Sequence, residues 1–499
     1  MNYYLGLDLG TSSVKGVLFD KYGNIIDSHQ EEYDIISPMP NYAEENPLIW
    51  MEKVNLVIDF FKNKNYSAYI KGVGISGQMH GLVILDEDDK PLRNSIIWCD
   101  NRTIKETKYL EEYIGNEKLK EITKNIAISS FTLEKLLWVK NNEPDIYKKI
   151  SKVMLPKDYI AYMLTGTFYS EYSDASGMQI LDLENLIYSK ELLSSLDLDI
   201  NLFPKLIKST DIRGKLKKEY GLDAYLVGGA GDQAAAALGL GVISSNDLSI
   251  SLGSSGVVYA PIDDIYINNG EVQTFSTSIY KKYHIMGVTN GCGTSLKWLK
   301  EILNINYNEM MDLAAKSEVG ADGLFYLPYL MGERSPILDN YAKGIYIGIK
   351  NTTTKNEIIR ATLEGVGYSI KDCYNLLKKE PKNVYISGGG ANSSLFKMII
   401  ASMINKPVYE VNTKEAPSLG VAILAMVGLK EYENIEDAIK NIIKIENKTL
   451  PNKLWVNHYN DKYPIYKEIY LNNKETYKKI WNILILMKLN MKAQILKIH

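Results

Sequence analysis

Asp8 is a carboxylate placed on an apolar strand and followed at once by a hydroxyl-rich turn, in the run LGLDLGTSSVKGVLFD from Leu5 to Asp20. Side-chain alternation puts Leu5, Leu7 and Leu9 on one face of a strand and Gly6, Asp8 and Gly10 on the other. The turn offers backbone N–H groups and the hydroxyls of Thr11 and Ser12, with Lys15 just beyond. Such a turn can hold phosphate oxygens, and a carboxylate beside it can hold the Mg²⁺ that accompanies them. The same residues also suit a core hairpin whose aspartate bonds its own turn. This stretch alone leaves both readings open.

A second stretch bears on that choice. In LSISLGSSGVVYAP, Leu248 to Pro261, Leu248, Ile250 and Leu252 alternate with Ser249, Ser251 and Gly253. Ser254 and Ser255 stand where Thr11 and Ser12 stood, and Ser251 matches Asp8. Two such copies half a chain apart point to an internal duplication. Two related domains, each presenting a phosphate-gripping hairpin to a shared cleft, account for it.

The third stretch is YLVGGAGDQAAAALGLG, Tyr225 to Gly241. A short strand enters a glycine-rich turn, and a helix starts near Gln233, which puts Asp232 at or beside its N-cap. Aspartate is a favoured cap residue in any helix. The same place lets the helix dipole favour the ionised carboxylate, and an accessible anion there can accept a proton from a substrate hydroxyl. The alanines from Ala234 to Ala237 keep this helix slim, so that other backbone can approach.

These residues need elements to position them. Asn46 and Pro47 read as the N-cap and first residue of a helix running through Trp50 and Val54 towards Phe61. Ile70 to Asp86 reads as strand, polar tip and strand. The tip, Gln78, Met79 and His80, is either a satisfied turn or a presentation of donors and acceptors to a polyhydroxylated ligand. Ile96 to Arg102 reads as a strand ending in Trp98, Asp100 and Arg102, where the charges form a surface ion pair or line a sugar site. Phe131 to Asn142 has the spacing of an amphipathic helix, and the runs LPKDYI and SDASGM read as junctions. Pro204 to Leu226 reads as a polar connection. In the second half, Thr289 to Leu303 enters a helix from a glycine-rich start. Val384 to Phe396 is a strand, a triple-glycine turn and a helix, a second anion or nucleotide-ribose cradle. Glu415 to Gly428 is a buried Ala/Gly-rich helix, and the chain ends in a terminal helix with a loose extension.

The bulk properties narrow the class. A chain of 499 residues suggests two domains of about 200–250 residues. We place them at 1–243 and 244–446, with a helical extension over 447–499. Lys plus Arg (57) nearly balance Asp plus Glu (60), so nothing invites nucleic acid. Cys99, Cys292 and Cys373 form no metal-ligand spacing and suggest a reducing compartment. Neither a signal peptide nor an apolar run of the ~18 residues a membrane span needs is evident. The expectation is a cytoplasmic protein without membrane or nucleic-acid partners and able to form a homodimer.

Taken together, the pieces resemble the FGGY family of carbohydrate kinases, within the group sharing an ATPase fold with actin, Hsp70 and hexokinase. The resemblance covers nearly the whole chain. DLGTSSVKGVLFD looks like that family's N-terminal phosphate hairpin, Ser130 to Asn142 its first signature and Gly344 to Glu364 its second. SLGSSG and SGGGANSS look like its ATP-contacting loops. The resemblance implies an α/β fold of two duplicated ribonuclease H-like domains with a cleft between them. It also implies ATP and Mg²⁺, with Asp232 as general base and Asp8 on the metal. Thr11, Ser12, Lys15, Gly253, Ser254, Ser255, Gly293, Gly389, Gly390 and Ala391 would contact ATP. Met79, His80, Asp232, Gln233, Trp98, Asp100 and Arg102 would contact the sugar. The Gln-Met-His tip, LPKDY, SDASGM and FYLPYLMGERSP are similar to the branch that phosphorylates D-xylulose at its terminal hydroxyl. Gln233, Ser254 and Ile337 depart from the usual Asn, Thr and His of that branch, and the last dozen residues have no counterpart. The alternatives are a family member acting on ribulose, glycerol or gluconate, a non-catalytic sensor, and an actin- or Hsp70-like ATPase.

Overall fold

The first strand, Tyr3–Leu9, turns at Gly10–Ser12 into Ser13–Asp20, which pairs onward with Ile25–Glu32, both antiparallel. Its other edge pairs in parallel with Ile70–Gly77, and that strand pairs in parallel with Tyr225–Val227. The computed structural model describes residues 2–265 and 270–495. The chain divides into two units. The first gathers Met1–Ser245, Pro261–Ile285 and Val411–Lys444; the second gathers Asn246–Ala260, Met286–Glu410 and Ile445–His499.

The second unit repeats this pairing scheme. Asp247–Leu252 is antiparallel to Gly256–Ile262 and parallel to Asn383–Ser387, which pairs in parallel with Val408–Val411. The duplication inferred from two short echoes is therefore a duplication of sheet topology. Asp8 and Ser251 are each the penultimate residue of the equivalent strand.

Both faces of the first sheet are covered. Trp50, Val54, Val57 and Phe61 of the helix Pro47–Asn63 are buried, and Gly16 lies under it, where an added Cβ would meet Val57 Cγ1 at 2.4 Å. Asn46 caps this helix by accepting from the Leu48 amide, as its sequence suggests. On the opposite face lies the helix Ala416–Gly428, close enough that a Cβ on Gly6 would stand 2.0 Å from the Ser418 carbonyl oxygen and one on Gly74 1.9 Å from that of Val421. The same helix crosses the slim helix Asp232–Gly239, where Gly420 leaves 2.0 Å between a hypothetical Cβ and the Ala235 carbonyl oxygen. Small residues there let three backbones approach one another.

Two expectations change. Pro204 to Leu226 is not simply a connection. It contains Lys205–Ile207 and Ile212–Lys215, the latter an edge of the first sheet beside Tyr225–Val227, and it carries the buried Arg213. Its strands are too short and polar for the alternation signal to register. The strand expected to end in Trp98–Arg102 stops at Ile96, because Asp100 accepts from the Ala43 and Arg102 amides and holds the following residues in a loop. The terminal segment forms a helix spanning Lys453–Ile495, and no helix among the described residues is long and apolar enough to cross a membrane.

Candidate functional site

In the first unit Asp8 sits opposite Lys15 across the hairpin and beside Ser76 on the parallel strand, whose hydroxyl donates to it. Asp232 occupies the first turn of Asp232–Gly239, one residue after the cap at Gly231, and accepts from the Gln233 amide at 2.7 Å. Burial, and after it the charge of Asp8, pushes the Asp232 carboxyl up to about 7. Burial likewise raises Asp8, with the Ser76 hydroxyl and Lys15 opposing. The charge of Asp8 thus acts on Asp232 and that of Glu415 on Asp8, an acidic setting that a divalent cation relieves. Hard oxygen donors suit Mg²⁺, so Asp8 fits the metal expected of it. Among the described residues no group of three or more His, Cys, Asp or Glu side chains stands together as a metal site.

The tip Gln78–His80 lies alongside. Met79 is buried against Gly231, where an added Cβ would meet Met79 Cγ at 2.9 Å. The tip is thereby packed directly against the turn that carries Asp232. His80 has φ +69°, an unusual backbone for a non-glycine residue. Lys135 holds it there: buried on the helix Thr132–Asn142, its ammonium donates to the carbonyls of His80, at 2.7 Å, and Ser130. The His80 ring meets the Gly177 carbonyl through Nδ1 at 3.0 Å and packs on Phe131 and Phe275. Gln78 faces inward and donates to Glu45 at 2.8 Å. Lys135 is thus a support of the tip. A charged residue on the apolar face of its helix was the available signal.

Not every expected contact is free to act. Lys15 is paired with Glu415 at 2.5 Å. Asp100 is fully buried and takes a forked interaction from Arg102, whose side chain is 1% exposed and also reaches Glu44 at 2.8 Å. The Arg102 guanidinium lies over Tyr42 and near Trp138. The surface ion pair considered from sequence is therefore a buried one, with Asp100 and Arg102 committed to each other, to Glu44 and to the loop backbone. Trp98 donates from Nε1 to Thr11 at 3.0 Å, tying that loop to the Tyr3–Asp20 hairpin.

In the second unit a cavity of about 800 Å³ is lined by Gly253, Ser254, Gly293, Gly389 and Gly390 among others. Three glycine-rich stretches, far apart in sequence, converge there. Gly388, at φ +85°, crosses the backbone of Leu252, where a Cβ would come within 2.7 Å of its carbonyl carbon. Nothing stands within 4 Å of a Cβ on Gly389, so this corner is open. Gly293 begins the helix Gly293–Leu303, yet its amide already donates to the Gly253 carbonyl at 2.9 Å. Ser255 and Ala391 do not line the cavity; Ala391 is turned into the core. Lys297, Tyr307, Asn308 and Met311 do line it and had no motif to mark them.

Residues 3–239 match the N-terminal domain of the FGGY family of carbohydrate kinases and residues 248–429 its C-terminal domain. The chain belongs to the FGGY family of carbohydrate kinases. It is 36% identical over 490 residues to a xylulose kinase of Lactococcus lactis, covering 95% of this chain and 98% of that protein. In structure it is similar to a ligand-bound xylulose kinase from Lactobacillus acidophilus, with a TM-score of 0.91 at 27% identity over 96% of this chain and 100% of that one. A gluconate kinase from the same organism gives 0.90 at 27%, over 96% and 99%.

Proposed function

We propose that this chain transfers the terminal phosphoryl group of ATP to the terminal hydroxyl of D-xylulose, giving D-xylulose 5-phosphate and ADP. The observation that carries the catalytic part is the setting of Asp232. It stands at a helix start, packed beside the Met79–His80 tip, with a proton affinity lifted close to neutrality. That affinity suits a general base working near neutral pH. Asp232 accepts the hydroxyl proton as the sugar oxygen bonds to phosphorus and the bond to the ADP oxygen breaks. Met79, His80 and Gln233 orient the sugar. Thr11 and Ser12 hold phosphate oxygens, Thr11 being aimed by Trp98. The glycine-lined cavity of the second unit, with Ser254, takes the nucleotide. Asp8 would hold Mg²⁺, which when bound neutralises charge on the phosphates. Lys15, whose ammonium gives one donor to Glu415, has further N–H groups for a phosphate.

A coupled ADP-release assay tests this. D-xylulose should stimulate turnover strongly, and Asp232→Asn should lower kcat by about 10²–10⁴-fold. Near-wild-type turnover in that variant removes the base assignment. A second reading, gluconate or another polyol as acceptor, is favoured by the gluconate kinase likeness. A panel of D-xylulose, D-ribulose, L-ribulose, glycerol and gluconate decides between them.

A further inference from the structure

Behind the Asp232 turn lies a group of charges that the mechanism above does not use. Lys157, Asp158, Glu171, Asp174 and Arg213 all have side chains 0% exposed. Lys157 is 2.8 Å from Asp158, 3.4 Å from Asp174 and 3.7 Å from Glu171, and Arg213 donates to Asp158 at 2.9 Å. Three carboxyls thus share two cations. Burying so many charges is a poor way to stabilise a core, so a role in placing something is the better account.

What the cluster places is visible in its hydrogen bonds. Glu171 accepts from the Ser173 amide at 2.8 Å, the Asp174 amide at 2.9 Å, the Ser209 hydroxyl at 3.0 Å and the Ser173 hydroxyl at 2.9 Å. A carboxylate can only accept, so the one proton of the Ser173 hydroxyl is committed to Glu171. Its lone pairs then face the other way, and the Gly231 amide donates to them at 3.0 Å. Gly231 is the cap residue immediately before Asp232, and it is also where Met79 packs. Asp174 is raised by burial, with the charge of Asp232 among those acting on it, so the cluster is within electrostatic reach of the base.

We propose that Ser173, polarised by Glu171, is a positioning residue that clamps the Gly231 amide and thereby fixes the direction in which Asp232 meets the sugar hydroxyl. This rests on the reading of Asp232 as the base. The clamp acts on orientation and touches neither sugar nor nucleotide. Its loss therefore lowers kcat while leaving both KM values nearly unchanged, as a misplaced catalytic group does.

The test compares Asp232→Asn, Ser173→Ala, Ser173→Thr and Glu171→Gln in full-length protein, by steady-state kinetics and thermal unfolding. We expect Ser173→Ala to lower kcat about tenfold or more, with KM for D-xylulose and ATP within about twofold. Ser173→Thr, which keeps the hydroxyl, recovers most of that loss. Glu171→Gln, whose amide can donate to Ser173 and so frees its proton, repeats the kcat loss. Wild-type turnover in Asp232→Asn defeats the base reading itself. An inactive Asp232→Asn beside a fully active Ser173→Ala overturns the clamp and leaves the base standing. A Ser173→Ala loss carried by raised KM and a lowered melting point also overturns it. If Ser173→Ala does not fold, Glu171→Gln decides by the same criteria.

Discussion

The two hairpins, Tyr3–Asp20 and Asp247–Ile262, share a topology but not a chemistry. In the first, Asp8 faces Lys15 across the ladder; in the second, Ser251 faces Val257. The first is bordered by the Asp232 turn and by Glu415. The second opens onto a cavity lined by Gly253, Gly293, Gly389 and Gly390, with Lys297 and Asp312 also in its wall. Duplication supplied one scaffold twice, and only the first copy carries a carboxylate at the matched strand position. On the proposed reading the first copy handles the proton and the metal, and the turn of the second hairpin offers backbone and hydroxyl groups, those of Gly253 and Ser254, to its cavity.

The sharpest way to break this comparison is to make the first hairpin like the second. Asp8→Ser is expected to lower kcat about 10²–10³-fold, the scale of removing one electrostatic stabiliser. Ser251→Ala should change it less than about threefold, because no charge is lost. Equal effects in an ADP-release assay would show that the hairpins are functionally alike.

The coverings of the two sheets differ as well. A Cβ added at Gly6 would meet backbone at 2.0 Å, whereas one added at Gly287 in the second unit would meet the Cys373 side chain at 3.0 Å. Gly6→Ala is expected to cost about 1–3 kcal/mol or more, as overpacking against a rigid neighbour does. Gly287→Ala should cost clearly less, as read by urea unfolding.

A pH series sharpens the electrostatic side. The proposed role of Asp232 requires it ionised, so kcat/KM should rise with pH through about 7 in free enzyme. Because this carboxyl is raised, the folded chain still holds a proton that the unfolded chain releases near pH ~4. Its contribution to stability is therefore full below that pH and lost as pH rises towards 7. Asp232→Asn should melt higher than wild type at pH 8 and converge with it in acid. Opposite ordering at pH 8 would mean that the carboxyl is not raised.

The smallest effect concerns the link between loop and hairpin. Trp98→Phe removes the donor to Thr11 and should cost about 0.5–1.5 kcal/mol, with a modest rise in KM for ATP. The hairpin of the second unit is not predicted to feel it.

Much of this was open to reading in the chain itself. The strand and turn around Asp8, its echo at Ser251, the capped helix after Asn46 and the slim helix after Asp232 are local patterns. Each is dictated by alternation, turn chemistry or capping within a dozen residues. The FGGY resemblance was carried by such local pieces in order. What no local pattern holds is partnership at long range. That Glu415 takes up Lys15, that Asp100 and Arg102 are buried rather than exposed, and that Lys135 props up His80 depend on residues about 50 to 400 positions away. The strands Lys205–Ile207 and Ile212–Lys215 exist only because a neighbouring strand completes their hydrogen bonds. Sequence alone thus determined which groups could do chemistry, because residue type and spacing set donors, charges and turns. Tertiary structure alone decided which of those groups are committed, buried or raised in proton affinity, because desolvation and charge depend on everything that folds around them.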